Sequence, residues 1–141
     1  MATTAGGKAL SAAEKLGLSE GMIVQELGWD DDVDDDLRVA IEDAIDAELI
    51  EEAMEAVDVV LLWWRDDDGD LVDGLVDSLT DLSDSGDVWL LTPKVGRGGH
   101  VDPADISEAA ITAGLAQTTT TASASRDWTA SKLVRPKGTR R

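Results

Sequence analysis

Hydrophobic positions in this chain fall into short continuous runs, and between the runs they recur every third or fourth residue. The segment Gly21 to Gly28 is of strand length and bounded by glycines. Val57-Asp58-Val59-Val60-Leu61-Leu62-Trp63-Trp64 and Asp87-Val88-Trp89-Leu90-Leu91-Thr92 are β-branched and aliphatic runs, the pattern of strands buried on both faces of a parallel sheet. Between them Leu37, Ile41, Ala44 and Ile45 repeat at helical spacing, followed later by Leu71, Val72, Leu75, Val76, Leu79 and Leu82. The first helix follows an acidic turn, Trp29 to Asp36, in which Asp34, Asp35 and Asp36 suit the positive end of a helix dipole. Residues 47 to 50 are expected to form a short extra strand.

Punctuation residues divide the remainder. Gly86 ends the second helical unit, Pro93 closes the third strand, and Lys94 to Gly99 make a glycine-rich basic loop. Asp102-Pro103-Ala104-Asp105 starts a helix, with Asp102 as cap and Pro103 at the first helical position; it runs to about Ala113, and Gly114 stops it. Leu115 to Ser125 and Trp128 to Val134 read as a hairpin. Strands alternating with helices predict an α/β fold: a Rossmann-like, mostly parallel sheet, helices on both faces through right-handed crossovers, and a C-terminal antiparallel edge strand. Residues 13 to 136 form the single domain, after a flexible lead over 1 to 12 and before a basic tail over 137 to 141.

Composition narrows the chemistry. Among 141 residues there is no cysteine, tyrosine or phenylalanine, and only one histidine. Disulfides, thiolate metal sites and cysteine nucleophiles are therefore excluded. The net charge of -18 is concentrated: Glu20 to Asp87 holds 25 acids against Arg38 and Arg65, while the rest sums to about +5. A nucleic-acid reader needs a basic surface, so that class is set aside, and a basic protein partner is the expected one. The first twelve residues show no apolar run after a basic start, and the longest apolar run is far short of the roughly 20 residues that span a bilayer. A cytoplasmic, membrane-free protein is expected.

Several segments together carry a resemblance: Gln25-Glu26-Leu27-Gly28-Trp29-Asp30, the string from Val59 through Trp63-Trp64-Arg65-Asp66-Asp67-Asp68-Gly69-Asp70 to Asp73, Leu90-Leu91-Thr92-Pro93-Lys94, Gly99-His100-Val101, and Asp127-Trp128-Thr129-Ala130-Ser131. They resemble an actinobacterial family catalogued as domain of unknown function 3052, over about residues 14 to 137. The order of elements resembles a shortened domain of the S-adenosylmethionine methyltransferase kind. That likeness implies a cofactor turn rich in glycine after the first strand. Here the turn reads Leu27-Gly28-Trp29-Asp30-Asp31-Asp32, with one glycine and three aspartates where the cofactor's carboxylate would lie.

Candidate ligand-binding residues follow from the strand ends: Gly28 and Trp29 after the first strand, Trp64 and Asp66 after the second buried run, and Lys94, Arg97 and His100 in the basic loop. Trp63 and Trp64 are adjacent, so on a strand they point to opposite faces, one to the core and one to the ligand edge. Asp66, Asp68 and Asp70 have the alternate spacing of calcium-loop ligands, but Leu71 stands where an EF-hand requires glycine. They remain candidates for looser Mg²⁺ or Ca²⁺ binding. His100 has no cysteine or second histidine to join it, and no GxSxG or GxxxxGK[ST] motif is present. The reading that results is a non-enzymatic binding or regulatory protein with no catalytic residues and no expected cofactor. Its alternatives are a degenerate S-adenosylmethionine or nucleotide domain and a carboxylate cation binder.

Overall fold

The computed structural model describes residues 16–121 and 125–136. The lead and tail expected over 1–12 and 137–141 lie outside the described residues. In chain order the elements are β1 (Val24–Leu27), α1 (Asp35–Ile45), β2 (Val57–Trp63), α2 (Leu71–Ser78), β3 (Leu82–Pro93), α3 (Pro103–Thr112), β4 (Ala116–Thr121) and β5 (Trp128–Val134). The sheet order is β1-β2-β3-β5-β4. The first three strands are parallel. The hairpin supplies the antiparallel pairing: β5 runs against β3 on one side and β4 on the other, and so lies one position in from the edge.

Each of the three helices among the described residues begins with an aspartate whose carboxylate accepts a hydrogen bond from the first turn. Asp34 accepts from the Leu37 N–H, Asp70 from Val72 and Asp102 from Ala104, the last with Pro103 at the helix start. The second helix is shorter than its apolar spacing predicts. It ends at Ser78, whose hydroxyl donates to the Gly74 carbonyl, and Leu82 opens β3 instead. Leu82 pairs with Val57, and the register then slips so that Val59 meets Asp87. Leu82 is buried with Val57 in one apolar cluster, so the strand satisfies the same burial that a longer helix would have offered.

The expected strand at 47–50 is reduced to one parallel bridge, Gln25 with Ile50. The Glu26 N–H donates to the Ile50 carbonyl and the Ile50 N–H to that of Val24. The chain then returns to enter β2 on the other side of β1.

Helices cover both faces. Val59, Leu61 and Trp63 point to one face and are buried with Leu37, Ile41 and Ile45 of α1. Val60 and Leu62 point to the other, against Leu71 and Leu75 of α2 and Ile106 and Ala110 of α3. The covering helix therefore changes face between α1 and α2. Open α/β sheets place ligands at the carboxyl ends of the strands where that change occurs, which is here the end of β1 and β2.

Candidate functional site at the carboxyl edge of the sheet

Three loops meet at this edge, following β1, β2 and β3. Gly28 leaves β1 with φ 79°, and a Cβ at this position would collide with the Trp63 carbonyl oxygen. The two strand ends thus touch, and a left-handed backbone with no side chain is what permits it.

Arg65 fills the crevice between them. It is 8% exposed, although it follows directly on the apolar run. Nη1 donates to the Gly28 carbonyl at 2.7 Å, Nε and Nη2 donate to the Asp32 carboxylate, and Nη1 also reaches Asp68 at 3.2 Å. The guanidinium carbon lies 5.2 Å from the centre of the Trp128 ring, a cation–π distance. Trp128 in turn meets Trp63 edge to face at 4.9 Å, and its indole N–H donates to the Asp32 carbonyl.

The electrostatics follow from this geometry. The hydrogen bond from Arg65 holds the Asp32 carboxyl below the ordinary aspartate range, against an opposing push from burial. For Arg65 burial works to lower the pKa, and the hydrogen bonds to Asp32 and Asp68 more than offset it. A second pair lies deeper. Glu26 on β1 is buried, receives the Trp63 indole N–H at 2.9 Å, and is held by Arg38 of α1 at 2.6 and 2.8 Å.

The residues singled out from sequence divide into two groups. Trp63 is wholly buried, and Trp64 faces the other side against α2, as adjacent strand residues must. Trp64 and Asp66 line a cleft of about 330 Å³ between α2 and α3, bordered also by Asp70, Asp105 and Glu108. Gly28, Trp29, Lys94, Arg97 and His100 stand outside that cleft lining. Trp29 is 49% exposed, Arg97 is paired with Asp127 at 2.9 Å, and His100 Nδ1 is 2.9 Å from the Pro93 carbonyl. One backbone bond joins the two groups, from the Asp66 N–H to the Gly99 carbonyl.

The alternate aspartates do not converge on one point. Asp68 folds back to accept from the Arg65 backbone and side chain, and Asp70 caps α2. Among the described residues no group of three or more acidic or histidine side chains is placed to hold a metal ion, and no helix is long and apolar enough to cross a membrane.

Arg65, Asp32, Asp105 and Glu108 were absent from the sequence-derived set. For Arg65 a signal existed: it is one of two bases in a window of 25 acids, and it sits directly after the ligand-edge tryptophan.

Residues 13–137 match the model of a family described as a protein of unknown function, DUF3052. The chain belongs to this family. Uncharacterized proteins of Mycobacterium tuberculosis and Mycobacterium bovis are each 50% identical to it over 144 residues, covering 96% of this chain and 90% of theirs. Solved structures show where the DUF3052 fold stands. The pyocyanin biosynthetic protein PhzM aligns with a TM-score of 0.66 at 12% identity, over 95% of this chain and 56% of that one. The O-methyltransferase NcsB1, solved with S-adenosyl-L-homocysteine, aligns at 0.60 and 13%, over 95% and 53%. The magnesium protoporphyrin IX methyltransferase of Synechocystis PCC 6803, solved with bound S-adenosylmethionine, aligns at 0.51 and 12%, over 95% and 79%. The DUF3052 chain thus has a methyltransferase-like Rossmann fold and spans little more than half the length of the first of these structures.

Proposed function

We propose that this chain is a non-enzymatic binding domain that acts through a protein partner with a basic surface. The observation that carries this reading is the occupation of the strand-end crevice by Arg65. Its guanidinium is buried and fixed by Gly28, Asp32 and Asp68. Some fold neighbours bind S-adenosylmethionine, and here a fixed side chain stands between the ends of β1 and β2, at the edge where open α/β sheets take their ligands. The adjoining turn has a single glycine with Trp29 behind it. A crevice filled by a fixed side chain and a turn with one glycine do not fit a cofactor that such folds hold on a glycine-rich turn.

The acid balance supports a basic partner. Asp66, Asp67, Asp70, Asp105 and Glu108 are all exposed around the α2–α3 side of this edge. Exposed charge of one sign accelerates and orients association with a surface of the opposite sign, and the effect weakens with salt.

The test is calorimetric titration of the full chain with S-adenosylmethionine and, separately, with a peptide of alternating arginine and glycine, at about 0.05 and 0.3 M salt. The peptide is expected to bind at the lower ionic strength and several-fold more weakly at the higher, with no saturable heat from the cofactor at millimolar concentration. Saturable cofactor binding, or a peptide that does not bind at low salt, overturns the reading.

A further inference from the structure

The cleft between α2 and α3 differs from the rest of the acidic surface in having an apolar interior. Leu71, Val101 and Ala109 are buried in its lining. Trp64 forms one wall, and four carboxylates stand at the border: Asp66, Asp70, Asp105 and Glu108. No lysine or arginine is among the lining residues. The volume of about 330 Å³ accommodates one long side chain together with part of the backbone that carries it.

Trp64 is set in place by the helix beside it. A Cβ on Gly74, in the middle of α2, would press into the six-membered ring of the Trp64 indole. Glycine inside a helix costs about 1 kcal/mol relative to alanine, and here it lets the ring lie against the helix backbone. The indole N–H groups of Trp63, Trp89 and Trp128 each donate to a named acceptor. The Trp64 side chain is instead only partly buried: it packs against the core beside α2 and also lines the cleft.

We infer that this cleft receives the guanidinium of an arginine side chain projecting from the basic partner, an inference that rests on the protein-binding reading above and assigns its seat. Charge complementarity selects a cation. The flat indole and the separated carboxylates select a guanidinium over an ammonium ion, because a planar fork stacks on an aromatic face while donating sideways to several acceptors. The apolar floor takes the methylene stem of the same side chain.

The test compares affinities of the full chain for a glycine–serine peptide bearing arginines, its lysine counterpart and its citrulline counterpart, at about 0.05 M salt. The arginine peptide is expected to bind most tightly, and citrulline, which keeps the shape without the charge, to abolish binding. Asp105→Asn with Glu108→Gln is expected to weaken the arginine peptide about tenfold, and Trp64→Leu at least as much. Asp43→Asn with Glu48→Gln removes the same charge from exposed positions on and just beyond α1, on the opposite face, and is expected to change affinity by less than about twofold. The double acid variant involves only exposed side chains, so it keeps the test valid should Trp64→Leu fail to fold. Equal losses from the two double variants would place binding in the general acidic field; the cleft would then fall while the basic-partner reading stood. Equal binding of the lysine peptide would remove the guanidinium preference. Failure of the arginine peptide to bind wild type would overturn both readings.

Discussion

Arg65 is a charged residue 8% exposed just past the buried, apolar carboxyl half of β2, and its partners explain how it is tolerated there. Two carboxylates and the carbonyls of Gly28 and Trp63 receive its N–H groups while an aromatic ring covers one face. Breaking such an arrangement from one side leaves the acceptors without a donor, at a cost of about 2 kcal/mol per charged hydrogen-bonded set. Arg65→Met is therefore expected to lower unfolding stability by roughly that amount in urea titrations at neutral pH. The pH dependence has a definite sign. Asp32 is held below its ordinary pKa in the folded state, so its contribution is present above about pH 4 and is lost as pH falls through the depressed folded value. The stability difference between wild type and Arg65→Met should narrow on acidification below about pH 4, and a difference that stays constant would mean that Asp32 takes no energetic part. At Gly74 the usual gain from alanine in a helix reverses, because the new methyl meets the Trp64 ring. Gly74→Ala is expected to cost about 1 kcal/mol and to alter tryptophan emission; a stabilised variant with unchanged emission would show that the ring moves freely.

At the scale of elements, the helix starts were the most legible part of the chain, because an N-cap is a local contract between one side chain and the next turn. Asp102 is the cap that its context with Pro103 predicts, while Asp34, expected as a first-turn acid, and Asp70, a cation candidate, turn out to cap α1 and α2. They differ in what else they hold. Asp102 caps α3 from an exposed position, so Asp102→Ala should cost about 1 kcal/mol. Asp34 caps α1 with one oxygen and accepts from the Ser125 hydroxyl with the other at 2.6 Å. Asp34→Ala should then cost about 2 kcal/mol, and Ser125→Ala should recover the difference between the two caps in a double-mutant comparison. Helix ends were less legible. Leu82 continues the apolar spacing of α2, yet it serves β3, since burial against Val57 is available to either element and periodicity alone does not choose. The position of β5 between β3 and β4 was equally hidden: alternation predicts the hairpin, but which of its strands docks against β3 is decided by long-range pairing, from Asp87 with Val134 to Pro93 with Trp128. The candidate site was legible as an edge and not as a contact set. Strand ends located Trp64 and Asp66, whereas Asp105 and Glu108 reach the same cleft from a helix nearly forty residues later.

For the whole molecule the decisive quantity is the uneven charge of -18. Ion pairs engage part of it: Arg38 with Glu26 and Asp35, Arg65 with Asp32 and Asp68, Arg97 with Asp127, and Lys132 with Asp87. Many more carboxylates stand exposed with like-charged neighbours, including Asp66, Asp67 and Asp70 after β2 and Asp30, Asp31 and Asp36 around the start of α1. Self-repulsion among them opposes the compact state and is screened over about 10 Å at 0.1 M salt. The two most enclosed pairs, at Arg38 and Arg65, are screened least. Salt should therefore relieve more repulsion than it removes attraction. The unfolding midpoint is expected to rise by several degrees as sodium chloride increases from about 0.02 to 0.5 M. Arg65→Met, having lost an enclosed cation, should gain more from salt than wild type does. A midpoint that falls with salt would assign the stability to exposed ion pairs, and the acidic surface would then be satisfied within the molecule, with no electrostatic drive toward a basic partner.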